Sequence, residues 1–428
     1  MNEKYGFDTL SVHAGYTPDS ETKSQGVPIY PSTAYVFKDT EYAKNLFELK
    51  EEGYIYSRLG NPTNAILENR IAALEGGIGA VVFSSGHAAI TFALLNIASS
   101  GDEIISSSAI YGGAINLLGV SFKKIGIKVR FVNPDDFEAI EKAVNEKTKA
   151  IFTETVGNPN ANVADIEALA AIAHKHNLPL IVDSTFTTPY LLKPFDWGAD
   201  IVIHSATKFL SGHGNSMSGV VVDSGKFNFK DNPRFPELNT PDEGYHGIVY
   251  TKDFGSAAYI VKLRVQMLRD FGACASPFNS YLAVLGIETL SLRMRKHCDN
   301  ALKTAEFLKN NPNVEFVNYP ALKGNKYYAL SQKYMPKGCG SIFTFGLKGG
   351  KEAGIKFIES VKLFSHLANV GDVRSLVIHP ASTTHSQLNS EQLKAAGITE
   401  GTIRLSIGIE DIEDIIKDLD NAINEAVK

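Results

Sequence analysis

Pro179-Leu180-Ile181-Val182-Asp183-Ser184-Thr185 and Ile201-Val202-Ile203-His204-Ser205-Ala206-Thr207-Lys208 decide how this chain reads. Each begins as a short apolar run, suited to a buried strand, and ends on polar residues. Asp183 closes the first run, and Lys208 follows the second, 25 residues after Asp183, with small hydroxyl residues just before it. Open α/β sheets place ligands at the carboxyl ends of their parallel strands. A lysine there can form a Schiff base with an aldehyde cofactor. An aspartate on a neighbouring strand end can pair with a protonated pyridine nitrogen. Alone, each residue reads better as a surface lysine or a loop aspartate. The pair at these strand ends points to pyridoxal 5'-phosphate.

Outward from this core the pattern repeats. Apolar runs at 80–83, 103–106, 128–132 and 150–153 alternate with helix-like segments such as 135–145 and 165–176. Near-continuous apolar strands separated by helices predict an α/β fold with a mostly parallel central sheet covered by helices on both faces. Residues 219–223 add a strand that can turn back. Asn61-Pro62 reads as a helix cap followed by proline at the first helical position, with Leu67, Ile71 and Leu74 at helical spacing before Gly76-Gly77. Residues 1–60 show weak periodicity and read as an extended arm. A loop-rich region at 224–256 is longer than ordinary connections and suggests a functional or interface loop. A helical stretch at 279–310, strands at 314–318, 341–346 and 403–407, and helices at 350–360 and 409–426 predict a smaller α+β domain. The expected organisation is an arm over 1–60, a cofactor-binding α/β domain over 61–275 and a C-terminal α+β domain over 276–428.

Composition narrows the function classes. A chain of 428 residues suggests two or three domains, and 44% hydrophobic with 21% charged residues is an ordinary globular balance. The net charge is 42 − 47 = −5, which gives no electrostatic footprint for nucleic acid or an anionic membrane. Cys274, Cys298 and Cys339 lie far apart with no CxxC pair, which argues against a disulfide framework and against a zinc module; no metal is expected. They fit a reducing, cytoplasmic setting. The N-terminal residues MNEKYGFDTL lack an apolar signal core. The stretch 76–101 has no charged residue, but Ser84-Ser85-Gly86-His87 divides it into a strand and a helix rather than one membrane span.

Further residues fit the same site. Gly86 and His87 open a helix after a strand, where backbone N–H groups can bind phosphate. Ser205 and Thr207 can add hydroxyl donors. Tyr111, at another strand's carboxyl end, can stack on a pyridine ring or simply pack on the core. Tyr56 and Arg58 can reach a phosphate or form a solvated loop. Arg404 sits inside an apolar strand and needs a partner, either a substrate carboxylate or a structural acid.

The motifs together resemble the Cys/Met-metabolism PLP-dependent transsulfuration family. They are Thr9-Leu10-Ser11-Val12-His13-Ala14-Gly15, Tyr56-Ser57-Arg58, Ser85-Gly86, Tyr111-Gly112-Gly113, Glu154-Thr155-Val156-Gly157-Asn158-Pro159, Asp183-Ser184-Thr185-Phe186, His204-Ser205-Ala206-Thr207-Lys208-Phe209 and Arg404-Leu405-Ser406-Ile407-Gly408. The resemblance implies the type I fold of PLP-dependent transferases. It implies Lys208 as the lysine bonded to the cofactor and Asp183 at the pyridine nitrogen. Gly86, His87, Ser205 and Thr207 fall at the phosphate, with Thr185 also at the cofactor, and Tyr111 stacks on the ring and carries protons. Asn158 touches the cofactor's phenolic oxygen or the substrate, and Ser375 and Arg404 hold the substrate carboxylate. Tyr56 and Arg58 come from a neighbouring subunit, which implies a homotetramer built as a pair of dimers. Position 87 departs from the Met or Gln frequent in the family.

Within the family, the insertion Phe235-Pro236-Glu237-Leu238 with Tyr245-His246-Gly247, and the run from Val373 to His385, resemble the branch acting on O-acetyl-L-homoserine. The implied reaction is replacement of acetate by sulfide, or methanethiol, to give homocysteine, or methionine. Methionine γ-lyase and cystathionine γ-synthase activities are the alternatives, with a catalytically silent PLP-binding protein behind them. A sulfur-carrier protein stays open as a donor.

Overall fold

The computed structural model describes residues 5–383 and 399–428. β1 (Gly79–Phe83), β2 (Glu103–Ser107), β3 (Lys128–Val132), β4 (Thr148–Glu154), β5 (Leu180–Asp183), β6 (Ile201–Ser205) and β7 (Gly219–Asp223) form one sheet in the order β1-β7-β6-β5-β4-β2-β3. The pairs from β3 through β2, β4 and β5 to β6 are parallel, and β7 turns back antiparallel to β6 and β1. β2, β4, β5 and β7 are buried at every position, which is why they read as unbroken runs rather than alternating ones.

Successive residues still face opposite ways. Val182, Val202, Val220 and Val222 belong to one core, and Ile181, Ile201, Ile203 and Val221 to the other. α3 (Pro62–Glu75) supplies Leu67, Ile71 and Leu74 to the first core; α4 (Gly86–Leu95) supplies Ala89, Ala93 and Leu94 to the second. Asn61 caps α3 by accepting from the Thr63 N–H at 2.9 Å, and Gly76 ends it at φ +83°. The charge-free stretch is therefore β1, a turn and α4. Among the described residues no helix is long and apolar enough to cross a membrane.

The second sheet is built from β8 (Val314–Asn318), β9 (Ile342–Leu347), β10 (Ser365–His366), β11 (Leu376–Ile378) and β12 (Thr402–Ser406), in the order β10-β11-β12-β9-β8. All its pairs are antiparallel except β10 with β11. The helical stretch before it breaks at Thr289 into Pro277–Glu288 and Leu290–Asn310.

The N-terminal segment differs from the extended arm expected. It contains α1 (Phe7–His13) and α2 (Thr40–Phe47). The first is docked on its own chain: the Phe7 ring meets Tyr190 edge-on at 5.2 Å, and Arg70 donates to the Ala14 carbonyl just beyond the helix at 2.9 Å. The region 224–256 is not free loop either. Phe235, Leu238, Tyr245 and Tyr250 are plugged into the same core as α4, between short helical turns.

Candidate active site

The carboxyl ends of β1, β2, β4, β5 and β6 converge on one cavity, whose far wall is the loop between β10 and β11 together with β12. Its volume is about 280 Å³, close to the ~300 Å³ lower end of small-molecule sites.

One end suits an anion. Ser85 caps α4 by accepting from the Ala88 N–H at 3.1 Å, so the N–H groups of Gly86 and His87 have no partner among the described residues. They point from a helix start, where partial positive charge favours phosphate. The turn fits only because glycines interleave. A Cβ on Gly86 would lie 2.6 Å from Ser205 Cβ, and one on Gly219 would lie 2.1 Å from the Ser85 carbonyl oxygen. Gly86→Ala is therefore expected to weaken cofactor binding about 10- to 100-fold, the equivalent of ~1–3 kcal/mol of overpacking. A fluorescence titration of the cofactor-stripped protein measures this, and wild-type affinity would contradict the reading. Ser205 lies directly against Gly86. The Thr207 hydroxyl donates to the Ser218 carbonyl at 3.2 Å and accepts from its N–H at 3.1 Å, so it fastens this loop.

The other end is acidic and buried. Asp183 Oδ1 accepts from the Thr185 N–H at 2.9 Å and from the Thr185 hydroxyl, which itself accepts from the Ser205 N–H at 2.8 Å. Thr185 thus orients Asp183. Glu154, at the end of β4, accepts from the Tyr111 N–H at 2.8 Å. Burial pushes both carboxyls upward; the Asp183 charge pushes Glu154 further, whereas the Thr185 hydrogen bonds pull Asp183 partly back. Two buried acids with no ion-pair partner among the described residues are what a protonated pyridine nitrogen would relieve. Tyr111 stands over this region with the His87 ring edge-on at 5.6 Å. The Gly-Gly after it is steric: a Cβ on Gly113 would sit 2.5 Å from the Tyr111 ring.

Between the two ends lies Lys208. Burial, and then Arg404, lower its pKa to about 8. Its Nζ donates to Asn369 Oδ1 at 2.6 Å. Arg404 is fully enclosed, and burial lowers its pKa to about 10. It donates to Asn158 Oδ1 at 3.0 Å and to the Asn369 carbonyl at 3.3 Å, with no carboxylate partner among the described residues. A buried guanidinium satisfied only by neutral oxygens is suited to a carboxylate brought by a ligand.

Lys208, Asp183, Tyr111, Gly86, His87, Asn158, Thr185, Ser205, Thr207 and Arg404 all line this cavity. Ser375 does not, and the substrate role expected for it is corrected. Its hydroxyl donates to Glu410 at 2.9 Å and accepts from the Gly408 N–H at 2.9 Å, and its own N–H donates to Glu410 at 2.6 Å, which ties the start of β11 to the segment after β12. Asn369, in the same loop, occupies the wall instead. Tyr56 and Arg58 also lie outside the cavity of their own chain. Tyr56 is 42% exposed, and Arg58 lies against the Tyr56 ring and donates to the Arg269 carbonyl. The insertion at 235–247 does not reach the cavity, and Thr384 and His385 lie outside the described residues. Sequence reasoning gave no role to Glu154 or Asn369. An acidic residue ending the apolar run 150–153 was the available signal for Glu154; Asn369 carried none.

These donors fit pyridoxal phosphate at each end: N–H groups and a hydroxyl for its phosphate, buried acids for its ring nitrogen, and a lysine between them for its aldehyde.

Comparison with known proteins agrees. Residues 8–424 match the family model for Cys/Met metabolism PLP-dependent enzymes. The chain is 49% identical to the O-acetyl-L-homoserine sulfhydrylase of Leptospira meyeri, over 99% of this chain and 98% of that protein. It is 48% identical to the homocysteine synthase of Schizosaccharomyces pombe, over 99% of each. A crystal structure of a putative O-acetylhomoserine (thiol)-lyase from Campylobacter jejuni, which contains a pyridoxyl-lysine monophosphate, superposes with a TM-score of 0.96 at 43% identity, covering 98% of this chain and 100% of that one.

Proposed function

Because the chain belongs to the family of Cys/Met metabolism PLP-dependent enzymes, we propose that it replaces the acetate of O-acetyl-L-homoserine with sulfide to form L-homocysteine, a step of methionine biosynthesis. Methanethiol in place of sulfide gives L-methionine. The observation that carries this reading is the end-to-end match, at 49% identity, to an O-acetyl-L-homoserine sulfhydrylase. No observation favours the γ-lyase or γ-synthase alternatives.

Pyridoxal phosphate, when bound, supplies an electron sink for the charge left when a proton leaves the carbon bearing the amino group. Gly86, His87 and Ser205 would hold its phosphate, and Asp183 would keep the proton on its ring nitrogen. Arg404 grips the substrate carboxylate with a planar fork that suits it. This directs the α-carbon toward Lys208. With a pKa lowered to about 8, Lys208 has a minor but much enlarged neutral fraction near physiological pH, and in that form its Nζ can accept the α-proton and return it. Tyr111, its backbone fixed by Glu154, would pack against the cofactor ring, where its hydroxyl would relay the β-proton. Acetate leaves the γ-carbon and hydrosulfide adds there. Ile90, Val156, Phe186 and Val370 line the cavity with apolar surface that limits water.

We assign Tyr56 and Arg58 to the phosphate of a neighbouring subunit in a homotetramer built as a pair of dimers. Their position outside the cavity of their own chain supports this. Free sulfide is the assigned donor, with a sulfur-carrier protein as the alternative. A cytoplasmic setting is supported by the free thiols of Cys274, Cys298 and Cys339.

The test is a product assay on PLP-loaded protein given O-acetyl-L-homoserine with and without sulfide. Homocysteine formed only with sulfide, with little 2-oxobutyrate, is the expected result. Abundant 2-oxobutyrate and ammonia without sulfide, or from methionine, would make it a γ-lyase. Cystathionine formed with cysteine in preference to homocysteine would make it a γ-synthase.

A further inference from the structure

We propose that Asn369 is a further catalytic residue: its side-chain oxygen holds the Lys208 amine whenever the lysine is not bonded to the cofactor, and its backbone carbonyl ties that grip to Arg404. The inference rests on the reading of Lys208 as the cofactor-bearing lysine.

The geometry is specific. Lys208 Nζ donates to Asn369 Oδ1 at 2.6 Å, and Arg404 donates to the Asn369 carbonyl at 3.3 Å while its other arm donates to Asn158 Oδ1 at 3.0 Å. One residue thus touches both the group that moves the α-proton and the group that grips the carboxylate on the same substrate. The loop carrying it is fixed from two sides. The Gly371 N–H donates to the Ser406 hydroxyl on β12 at 3.0 Å. Gly371, at φ +73°, also approaches the residue after the lysine so closely that a Cβ there would lie 2.8 Å from Phe209 N. Asn369 therefore cannot drift away from Lys208 without disturbing β12 or the lysine's own backbone.

The chemistry explains an amide at this place. During turnover the substrate's amino group displaces the lysine, which then moves a proton at a neighbouring carbon. A freed lysine on a four-carbon stem has many rotamers, and ordering it is costly. An acceptor that takes one N–H leaves the nitrogen lone pair free to face the α-carbon. A carboxylate would order the amine equally well but would hold it protonated; the neutral amide oxygen does not. The other charged or titratable groups around this cavity are Arg404 on β12, Asp183 on β5, Glu154 on β4, Tyr111 before the helix following β2, and His87 on α4.

The test uses the full chain stripped of cofactor, as wild type, Asn369→Asp, Asn369→Ala and Lys208→Ala. Pyridoxal phosphate is added across a pH series, the adduct is trapped with borohydride and mapped by mass spectrometry. Attachment forms one C=N bond and releases one water, and it requires the neutral amine. In the wild type its rate should rise with pH through a midpoint near 8, the value set by Lys208 burial. Asn369→Asp, nearly isosteric, should move that midpoint up by about one unit, or roughly tenfold slower attachment at neutral pH. Asn369→Ala should take up cofactor in full, yet exchange the α-hydrogen of L-alanine with deuterated water about tenfold more slowly by NMR. An unchanged midpoint in Asn369→Asp, or wild-type exchange in Asn369→Ala, overturns the proposal. If the aspartate variant fails to fold, the alanine exchange rate decides alone. Adduct at Lys208 in the wild type but not in Lys208→Ala upholds the underlying reading in either case; a wild type unlabelled at Lys208 overturns that reading instead.

Discussion

Lys208→Ala is expected to lower product formation by at least ~10⁴-fold and to remove the visible absorbance of cofactor joined to the protein. Lys208 Nζ faces the Asn369 amide, and its pKa, lowered to about 8, gives it a far larger neutral fraction near pH 7 to 8 than an ordinary lysine has. Among the described residues no second lysine lines the cavity, so none of them offers another amine for the covalent bond or the proton. The assay is homocysteine formation together with an absorbance spectrum of the purified variant. Turnover within tenfold of wild type would remove Lys208 from its assigned role.

Asp183→Ala is expected to reduce kcat by about 10²–10³-fold, the size seen when a preorganised charge-stabilising group is deleted, while cofactor affinity falls far less. The two effects separate because, in the proposed arrangement, the phosphate end would supply binding through Gly86, His87 and Ser205, whereas Asp183 would act on the ring nitrogen. Asp183 is oriented by Thr185, and burial raises its pKa until a cation offsets it. Removing it leaves Glu154 as the remaining acid at this end, but Glu154 is occupied by the Tyr111 N–H. Steady-state kinetics and a cofactor titration on the same preparation measure the two quantities. Near-normal kcat, or a loss of affinity as large as the loss of kcat, would contradict the electron-sink role.

The sheet and most of the cavity were legible because their signals are local. Asp183 and Lys208 each follow an apolar run that could only be a buried strand. Gly86 and Gly113 mark places where a side chain would collide with a neighbouring residue. What was not legible depends on which way a loop faces. The segment from Asn369 to Ser375 offers an amide, an acid, an arginine and a hydroxyl without periodicity. The family resemblance pointed to Ser375, yet β11 begins one residue later and the Ser375 hydroxyl is turned toward Gly408 and Glu410. Glu154 stood in a quoted motif, but its depth became visible only once β4 was flanked by β2 and β5. α1 and α2 escaped notice because they are short and each buries a single residue, Ser11 and Leu46, too little for a helical stripe to show.

The cavity draws its walls from five strand ends of one sheet and from β12 and the β10–β11 loop of the other. A molecule seated there is also a strut between two separately built layers of the protein. Its binding free energy adds to the resistance of the native state against unfolding, by about 2.7 kcal/mol when free cofactor stands at a hundred times its dissociation constant. Chains that lack the cofactor lack that brace and are expected to open more often to proteases, which limited proteolysis with and without added cofactor measures.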